Sequence, residues 1–317
     1  MECKPENEVD NYVFFKKIEN YIDTVNKAQD SSTGGWVSNC KAFSAVSNQW
    51  FNDNQIAKDV CEELIKLYKS LDSLKNKSKP DMNYGNDCTF FNYWVNFKIS
   101  KSMINESGCI KDIYNGIESQ FQDCDFYNMF DIGVIYDITK EELDKLNILY
   151  SLYEKYSKLK SIINDISQLN KESLSTLSTA CCPGYIEANY ICNNGNADDD
   201  GGDDNSQFCI ELGNFKTKYQ ELYTKVHSQK PELSDYFIKL SKCPNNKIIT
   251  TAVTGSIIGL IPLFGVLYKF TPMGQVIRSK IGIINNDEEM TKMTLMEQEN
   301  EPLRFKQGTY NIKYQSL

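Results

Sequence analysis

The sequence has few of the residues that catalytic sites commonly require. It contains one histidine, His227, so a zinc site with two histidines cannot form, and imidazole base catalysis would depend on that residue alone. His227 lies near a predicted helix end, where a surface position beside the helix dipole is expected. No nucleophile motif or phosphate-binding loop is present. The chain is therefore predicted not to be an enzyme and to require no cofactor.

Arginine is almost absent, since only Arg278 and Arg304 contribute to the 34 basic residues. Acidic residues number 43, and the net charge is -9. No block of basic residues alternates with aromatic residues, so a nucleic-acid partner is excluded.

Cysteine is missing from the end of the chain, because all eleven cysteines precede residue 244. An odd number leaves at least one unpaired, and the spacing leaves the pairing open. The vicinal Cys181 and Cys182 are assigned to disulfide bonding rather than to a redox or metal site. The disulfide candidates are Cys3, Cys40, Cys61, Cys88, Cys109, Cys124, Cys181, Cys182, Cys192, Cys209 and Cys243.

Charged residues are also missing from residues 248–267, with the sequence IITTAVTGSIIGLIPLFGVL. A helix of this length extends about 30 Å, the thickness of a bilayer core. The sequence predicts a single transmembrane helix, 248–268, rather than a buried core helix, which would be shorter and would keep a polar face. Its candidate helix-packing residues are Gly255, Gly259 and Pro262.

The cysteine distribution predicts the orientation of this helix. Basic residues are balanced on its two sides, so they give no preference. Disulfides persist in lumenal and extracellular compartments, so residues 1–247 are expected there and residues 269–317 form a short cytosolic tail. The N-terminal residues contain no apolar signal-peptide core, so the span itself would direct the chain to the membrane. The alternative is a cytosolic body with reduced cysteines and a C-terminal anchor.

Apolar residues recur at three- and four-residue spacing, which predicts an all-α, disulfide-linked domain. No alternating strand pattern with a hairpin turn competes. The clearest helix begins with a capping box at Thr139 and Glu142 and continues for about seven turns to Ile166. Other helices are predicted in 14–25, 56–71, 88–104, 109–121 and 209–230.

Three polar segments without helical periodicity, 30–39, 73–86 and 188–207, are predicted to be variable surface loops. The last one contains an acidic stretch that partly follows an EF-hand loop. Gln207 stands where a bidentate carboxylate is needed, and residues 181–194 are not expected to form an entering helix. A solvated acidic loop is favoured over a calcium site.

Four segments of the sequence contain distinctive motifs. CTFFNYWVNFKIS from Cys88 contains Trp94, CIELGNFKTKY from Cys209 contains Phe215, and Cys243-Pro precedes the apolar segment. LYKFTPMGQVIRSKIG, residues 267–282, is the most specific. These segments resemble the Plasmodium interspersed repeat (PIR) superfamily, in particular its variant Vir branch in vivax. Val95 and Asn96 replace residues usual in the family's aromatic helix. In the most specific segment the family-motif residues are Tyr268, Lys269, Phe270, Thr271, Pro272 and Gly274.

The resemblance implies a membrane-anchored variant surface antigen, exported in the infected red cell and acting in immune evasion and host-cell adhesion. Its partners would be a host-cell receptor or an antibody at the ectodomain, together with the lipid bilayer. No Arg-x-Leu export motif occurs, so export would use the span or another signal. The alternative is a structural or trafficking component of parasite-made membranes that binds cytoskeletal or trafficking partners through its cytosolic tail.

Overall fold

The part of the chain that the structure describes is mostly helical, as the periodicity of the sequence predicts. The structure is a computed structural model and describes residues 10–31, 34–75, 83–104, 108–121, 135–164, 171–194 and 206–243. These ranges contain ten α-helices, several short 3-10 helices and no β-strand, so the predicted all-α class is confirmed for them. The α-helices are α1 Ile18–Asp30, α2 Val37–Val46, α3 Asn54–Ser70, α4 Asp72–Lys75, α5 Tyr84–Ser102, α6 Ile110–Glu118, α7 Lys140–Asn164, α8 Lys171–Ala180, α9 Cys182–Asn194 and α10 Gln207–Gln229.

No helix within those ranges is both long enough and apolar enough to cross a bilayer. The predicted span at 248–268 and the predicted tail at 269–317 lie outside the described residues.

Helix α7 is the predicted long helix, and its start shows one of the two hydrogen bonds of the predicted capping box. The backbone N–H of Glu142 donates to Thr139 Oγ1 at 3.4 Å, and the helix continues for 25 residues. It packs against α1 and α5, which precede it in the chain, and against α8, α9 and α10, which follow it. Buried apolar side chains therefore face more than one side of α7, and this helix links the two halves of the core.

Helix α5 differs from its prediction in its start and in its burial. It begins four residues before Cys88, at Tyr84, and every residue from Asp87 to Asn96 is buried. Burial is thus not confined to one aromatic face, because the 3-10 helix Val13–Lys17 and helices α3, α4, α6 and α7 surround α5. The Asp87 carboxylate lies in this interior and accepts hydrogen bonds from Tyr21 Oη at 2.6 Å and from Ser73 Oγ.

Two asparagines of α5 hold the extended segment that leads into α7. Asn92 Oδ1 accepts from the backbone N–H of Tyr136 at 3.0 Å, and Asn96 Oδ1 accepts from that of Ile138 at 2.9 Å. Asn96 Nδ2 donates to the Tyr136 carbonyl at 2.9 Å. The side chains thus supply the hydrogen bonds that a neighbouring strand would supply to an extended chain. Asn96, a departure from the family pattern, has this structural role.

Helices replace parts of the three predicted surface loops. Helix α2 begins at Val37, α4 covers 73–75, α5 begins at Tyr84, and α9 extends to Asn194. Tertiary contacts account for the difference, since Ala188 of α9 is fully buried and Trp36 packs on the Phe121 ring at 5.9 Å. Packing, rather than the polar composition of these segments, decided their backbone conformation.

An ion-pair triad ties together helices from both halves. The carboxylate of Glu19 on α1 accepts from Lys160 Nζ of α7 and from Lys218 Nζ of α10, each at 2.6 Å. All three side chains are partly exposed, so the triad is expected to add little to the stability of the fold. We attribute to it instead a role in fixing the positions of α1, α7 and α10 relative to one another.

Helix α9 carries a carboxyl group that makes stability depend on pH. Burial of Glu187, with a smaller contribution from the Asp144 carboxylate of α7, raises its pKa from 4.5 to about 7. The folded state therefore binds this proton more tightly than the unfolded state does. The stability contributed by the group is complete below the unfolded pKa of 4.5 and is lost as the pH rises to about 7.

Glu187→Gln is accordingly expected to stabilise the protein at high pH. The full pKa difference corresponds to about 3 kcal/mol, and partial exposure of the side chain reduces the expected gain to about 1 kcal/mol at about pH 8. Urea unfolding at about pH 8 and at about pH 4 measures it, and the gain should vanish at the lower pH. The matched change at exposed Glu232 should have little effect at either pH. An equal gain at both pH values would contradict this assignment.

Candidate functional site

The two family-motif residues within the described ranges, Trp94 and Phe215, both lie in the core. Trp94 on α5 is 5% exposed, and Phe215 on α10 is fully buried against Tyr153, with ring centroids 5.4 Å apart. The other predicted site residues outside the cysteine set lie outside the described ranges: Gly255, Gly259, Pro262, Tyr268, Lys269, Phe270, Thr271, Pro272 and Gly274.

The motif that begins at Cys209 is explained by packing and by a disulfide. Cys209 is bonded to Cys192 in the first turn of α10, and Leu212, Phe215 and Tyr219 follow on the buried face. Tyr219 Oη donates to the Ile238 carbonyl at 2.9 Å and so fixes the segment after α10. These motif positions maintain the fold, so they are not exposed for contact with a partner.

Among the described residues, disulfides join three pairs of the predicted candidates in which both partners are described. Cys40–Cys61 links α2 to α3, Cys182–Cys243 links the start of α9 to the C-terminal end of the described residues, and Cys192–Cys209 links α9 to α10. Cys109 is disulfide-bonded as well. The candidates Cys3 and Cys124 lie outside the described residues.

Two of the disulfide candidates, Cys88 and Cys181, are instead buried thiols, and their assignment to disulfides is wrong for this structure. Cys88 lies inside the aromatic core on α5. Cys181 Sγ donates to the Leu177 carbonyl at 3.5 Å, whereas Cys182 takes the bridge to Cys243. Successive residues at a helix start point in different directions, so vicinal cysteines have different neighbours. Burial raises the pKa of Cys181 to about 12 although Lys155 lowers it, so this thiol is protonated and unreactive.

The Cys192–Cys209 disulfide also brackets the acidic stretch. Contrary to the sequence prediction, residues 182–194 before it form helix α9. The carboxylates considered as calcium ligands lie within 195–205, outside the described residues. Within the described ranges no group of three or more His, Cys, Asp and Glu side chains could hold a metal ion. Exposed apolar side chains, Tyr190 and Ile210, flank the disulfide in sequence on its two helices.

A cleft between α1, α3 and α5 is the candidate binding site on the described body. Its volume is about 220 Å³. The walls combine apolar side chains from three helices with polar groups at the rim. The lining residues are Val25, Ala28 and Gln29 of α1, Glu63, Lys66 and Leu67 of α3, and Trp94 of α5. Only a small part of the Trp94 side chain is exposed, and Trp94 lines the cleft. Its ring packs on the rings of Phe90 and Tyr150.

Lysine side chains lie near the Trp94 ring, which forms one wall of the cleft. Lys98 Nζ lies 5.0 Å from the centroid of the Trp94 ring and 5.8 Å from that of Phe97, and it pairs with the Glu63 carboxylate. Lys101 Nζ lies 5.7 Å from the same Phe97 ring. Partial burial and the neighbouring charge of Lys98 lower the pKa of Lys101, against the opposing effect of Glu63. The ammonium groups of Lys98 and Lys101 thus lie near the Glu63 carboxylate, and Lys66 lines the same cleft.

Sequence reasoning identified Trp94 but not the cleft. The spacing of Trp94 and Lys98 by four residues was visible, and such residues are neighbours on a helix surface. The other lining residues come from two helices that lie about 25 to 70 positions earlier in the chain. Their convergence depends on how α1 and α3 pack against α5, which no local pattern reveals.

The described residues define an all-helical domain cross-linked by disulfides, with a core built around aromatic side chains. Residues 207–317 match the family model of the Plasmodium vivax Vir protein. The resemblance to the Vir family is therefore confirmed over this segment. The resemblance at the aromatic helix from Cys88 lies outside the match and stays a prediction. Comparisons with curated proteins and with solved structures gave no significant match.

Proposed function

We propose that this chain is a membrane-anchored variant surface antigen of a malaria parasite. The match of residues 207–317 to the Vir family carries the proposal. In this proposal residues 1–247 form the ectodomain, residues 248–268 cross the membrane and residues 269–317 form the cytosolic tail. The protein would be exported in the infected red cell and would act in immune evasion and host-cell adhesion.

The disulfides support the orientation of this topology. The three bridges seen among the described residues all precede the predicted span, and Cys40 and Cys61 are fully buried, so their pairing is part of the domain core. A helical body of this kind suits an oxidising compartment, where such bridges form and persist. The tail of 269–317, which lacks cysteine, suits the reducing cytosol.

The proposed activity is binding rather than catalysis, with a host-cell receptor or an antibody as the partner. The motif residues Leu212, Phe215 and Tyr219 are buried, so sequence variation that preserves the fold is confined largely to exposed positions. A surface that varies while the core is kept is what antigenic variation requires.

The second candidate is a structural or trafficking component whose tail binds a cytoskeletal or trafficking partner. The observation that favours it is the specific motif at 267–282, which begins in the last two residues of the predicted span and continues beyond it. A pulldown with the tail that is richer than one with the body would support this candidate.

Labelling of intact infected cells tests the topology. An amine reagent that cannot cross membranes should modify exposed lysines of the body, such as Lys27 and Lys41, and should spare the tail lysines Lys280 and Lys306. Protease added outside should likewise remove the part before Lys247 and leave a fragment that contains 274–317. Permeabilised cells are the control, because both parts should then react. A protected body with a digested tail would contradict the proposed orientation.

A further inference from the structure

We propose that the cleft between α1, α3 and α5 is a docking site for one bulky apolar side chain of a partner polypeptide that carries carboxylates on both sides of that residue. This inference concerns the surface of the helical body and is independent of the membrane topology proposed above.

The size of the cleft selects the kind of occupant. Its volume of about 220 Å³ lies below the about 300–1,000 Å³ typical of small-molecule sites. A space of this size can hold a single large side chain. Protein interfaces commonly concentrate their binding energy where one aromatic or aliphatic anchor enters such a pocket. The cleft is therefore better suited to an anchor residue than to a free metabolite.

The walls favour an apolar anchor. Val25, Ala28 and Leu67 line the cleft with aliphatic side chains, of which 5% or less is exposed in each residue. Trp94 supplies an aromatic surface that is held in place by the rings of Phe90 and Tyr150. An entering aromatic side chain would gain contact with that ring in addition to the removal of its apolar area from water.

The rim favours carboxylates next to the anchor. Lys66 lines the cleft, and Lys98 stands over its Trp94 wall, with Lys101 near the same Phe97 ring. Glu63 is the carboxylate of the cleft lining and pairs with Lys98. The chain as a whole carries a net charge of -9, so this basic rim is opposite in sign to the rest of the protein. Acidic residues in the partner would complement it and would relieve the repulsion between Lys98 and Lys101.

The Glu63 carboxylate competes with the proposed partner for Lys98. Its side chain is 41% exposed and lies at the rim, so its removal should not disturb the core. Glu63→Gln is therefore expected to strengthen binding of an acidic partner, whereas a residue with only a structural role would give no gain. This opposite effect separates docking at the cleft from general loss of stability.

The test uses the full chain purified in detergent and three short peptides that are acetylated and amidated at their ends. Their sequences are Glu-Glu-Trp-Glu-Glu, Glu-Glu-Ala-Glu-Glu and Lys-Lys-Trp-Lys-Lys. Calorimetric titration is expected to show binding of the first peptide and at least about tenfold weaker binding of the other two. Binding of the first peptide should weaken as salt is added, because the rim contacts are exposed.

Charge variants locate the site. Lys101→Glu should weaken binding of the acidic tryptophan peptide at least about tenfold, and Glu63→Gln should strengthen it about threefold or more. Lys239→Glu, the matched charge reversal at an exposed position after α10, should leave binding within about twofold. Circular dichroism should show that all three variants keep their helix content, since the changed side chains lie at the surface.

Four results of the binding titrations would overturn the proposal. These are no binding of the acidic tryptophan peptide, equal binding of the alanine peptide, equal binding of the basic peptide, and equal effects of the Lys101 and Lys239 reversals. A concentration-dependent dimer that Lys101→Glu abolishes, without any effect on peptide binding, would instead identify a second copy of this chain as the occupant and would also overturn it.

Discussion

Reduction of the disulfide bonds is expected to unfold most of the helical body at physiological temperature. The three pairs in the described ranges are separated by 61, 21 and 17 residues. In the chain-entropy model, loops of these lengths contribute about 4, 3 and 3 kcal/mol, because each bridge restricts the unfolded chain. The sum is comparable to the total stability of a typical domain, about 5–15 kcal/mol.

The bridge with the longest loop should matter most. Replacement of Cys182 and Cys243 by serine is expected to lower the free energy of unfolding by about 4 kcal/mol. The same replacement of Cys192 and Cys209 should cost about 3 kcal/mol. Urea unfolding of recombinant residues 1–247, made in an oxidising compartment, measures both values by circular dichroism.

Cys181 provides the matched control, since it adjoins Cys182 but keeps a thiol. Cys181→Ala should cost only its own packing, about 1 kcal/mol, and should leave the response to reductant unchanged. If thermal unfolding of residues 1–247 is the same with and without strong reductant, the cysteines do not stabilise the body. That result would favour the cytosolic-body alternative over the proposed topology.

Removal of the Asn96 side chain is expected to be the most damaging single substitution of a polar residue in α5. Asn96→Ala would leave the Ile138 N–H and the Tyr136 carbonyl without their partners in a fully buried position. An unsatisfied buried group costs about 1–3 kcal/mol, so a loss of about 3–5 kcal/mol is expected. Urea unfolding measures the loss, and weaker near-ultraviolet dichroism should accompany it because Tyr136 loses its fixed position.

Two matched substitutions test the reason for this effect. Asn92→Ala removes one bond, from the Tyr136 N–H, and should cost about 1–3 kcal/mol. Asn48→Ala, at an exposed position, should cost less than about 0.5 kcal/mol. A loss below about 1 kcal/mol for Asn96→Ala would show that the segment 135–139 is held by other contacts.

The two asparagines show the limit of pattern reading in an aromatic helix. The sequence FFNYWVNF predicts a buried helix, and burial of Phe91 and Trp94 agrees with it. Hydrophobic periodicity gives Asn92 and Asn96 no role, since amide side chains usually favour exposed positions. Their role depends on an extended segment about 40 residues later in the chain, which leads into α7 where that helix packs against α5.

The cysteines show the same division. Their confinement to residues before 244 predicted a disulfide-linked body, and the three observed bridges agree with that. Which sulfurs pair could not be predicted, because each pairing requires two distant α-carbons to come within about 6 Å. Cys181 and Cys182 are identical residues at adjacent positions, but only Cys182 is bonded to Cys243.

The sequence by itself determined the all-α class, the capped start of α7, the buried face of α10 and the Vir resemblance at the C-terminal end. These properties depend on residues within a few turns of one another or on short contiguous motifs. Tertiary structure alone decided the disulfide pairing, the helical state of residues 188–194, the asparagine contacts and the cleft beside Trp94. Each of these requires groups far apart in the chain to meet, and their meeting is fixed by how the helices pack rather than by the order of residues along any one of them.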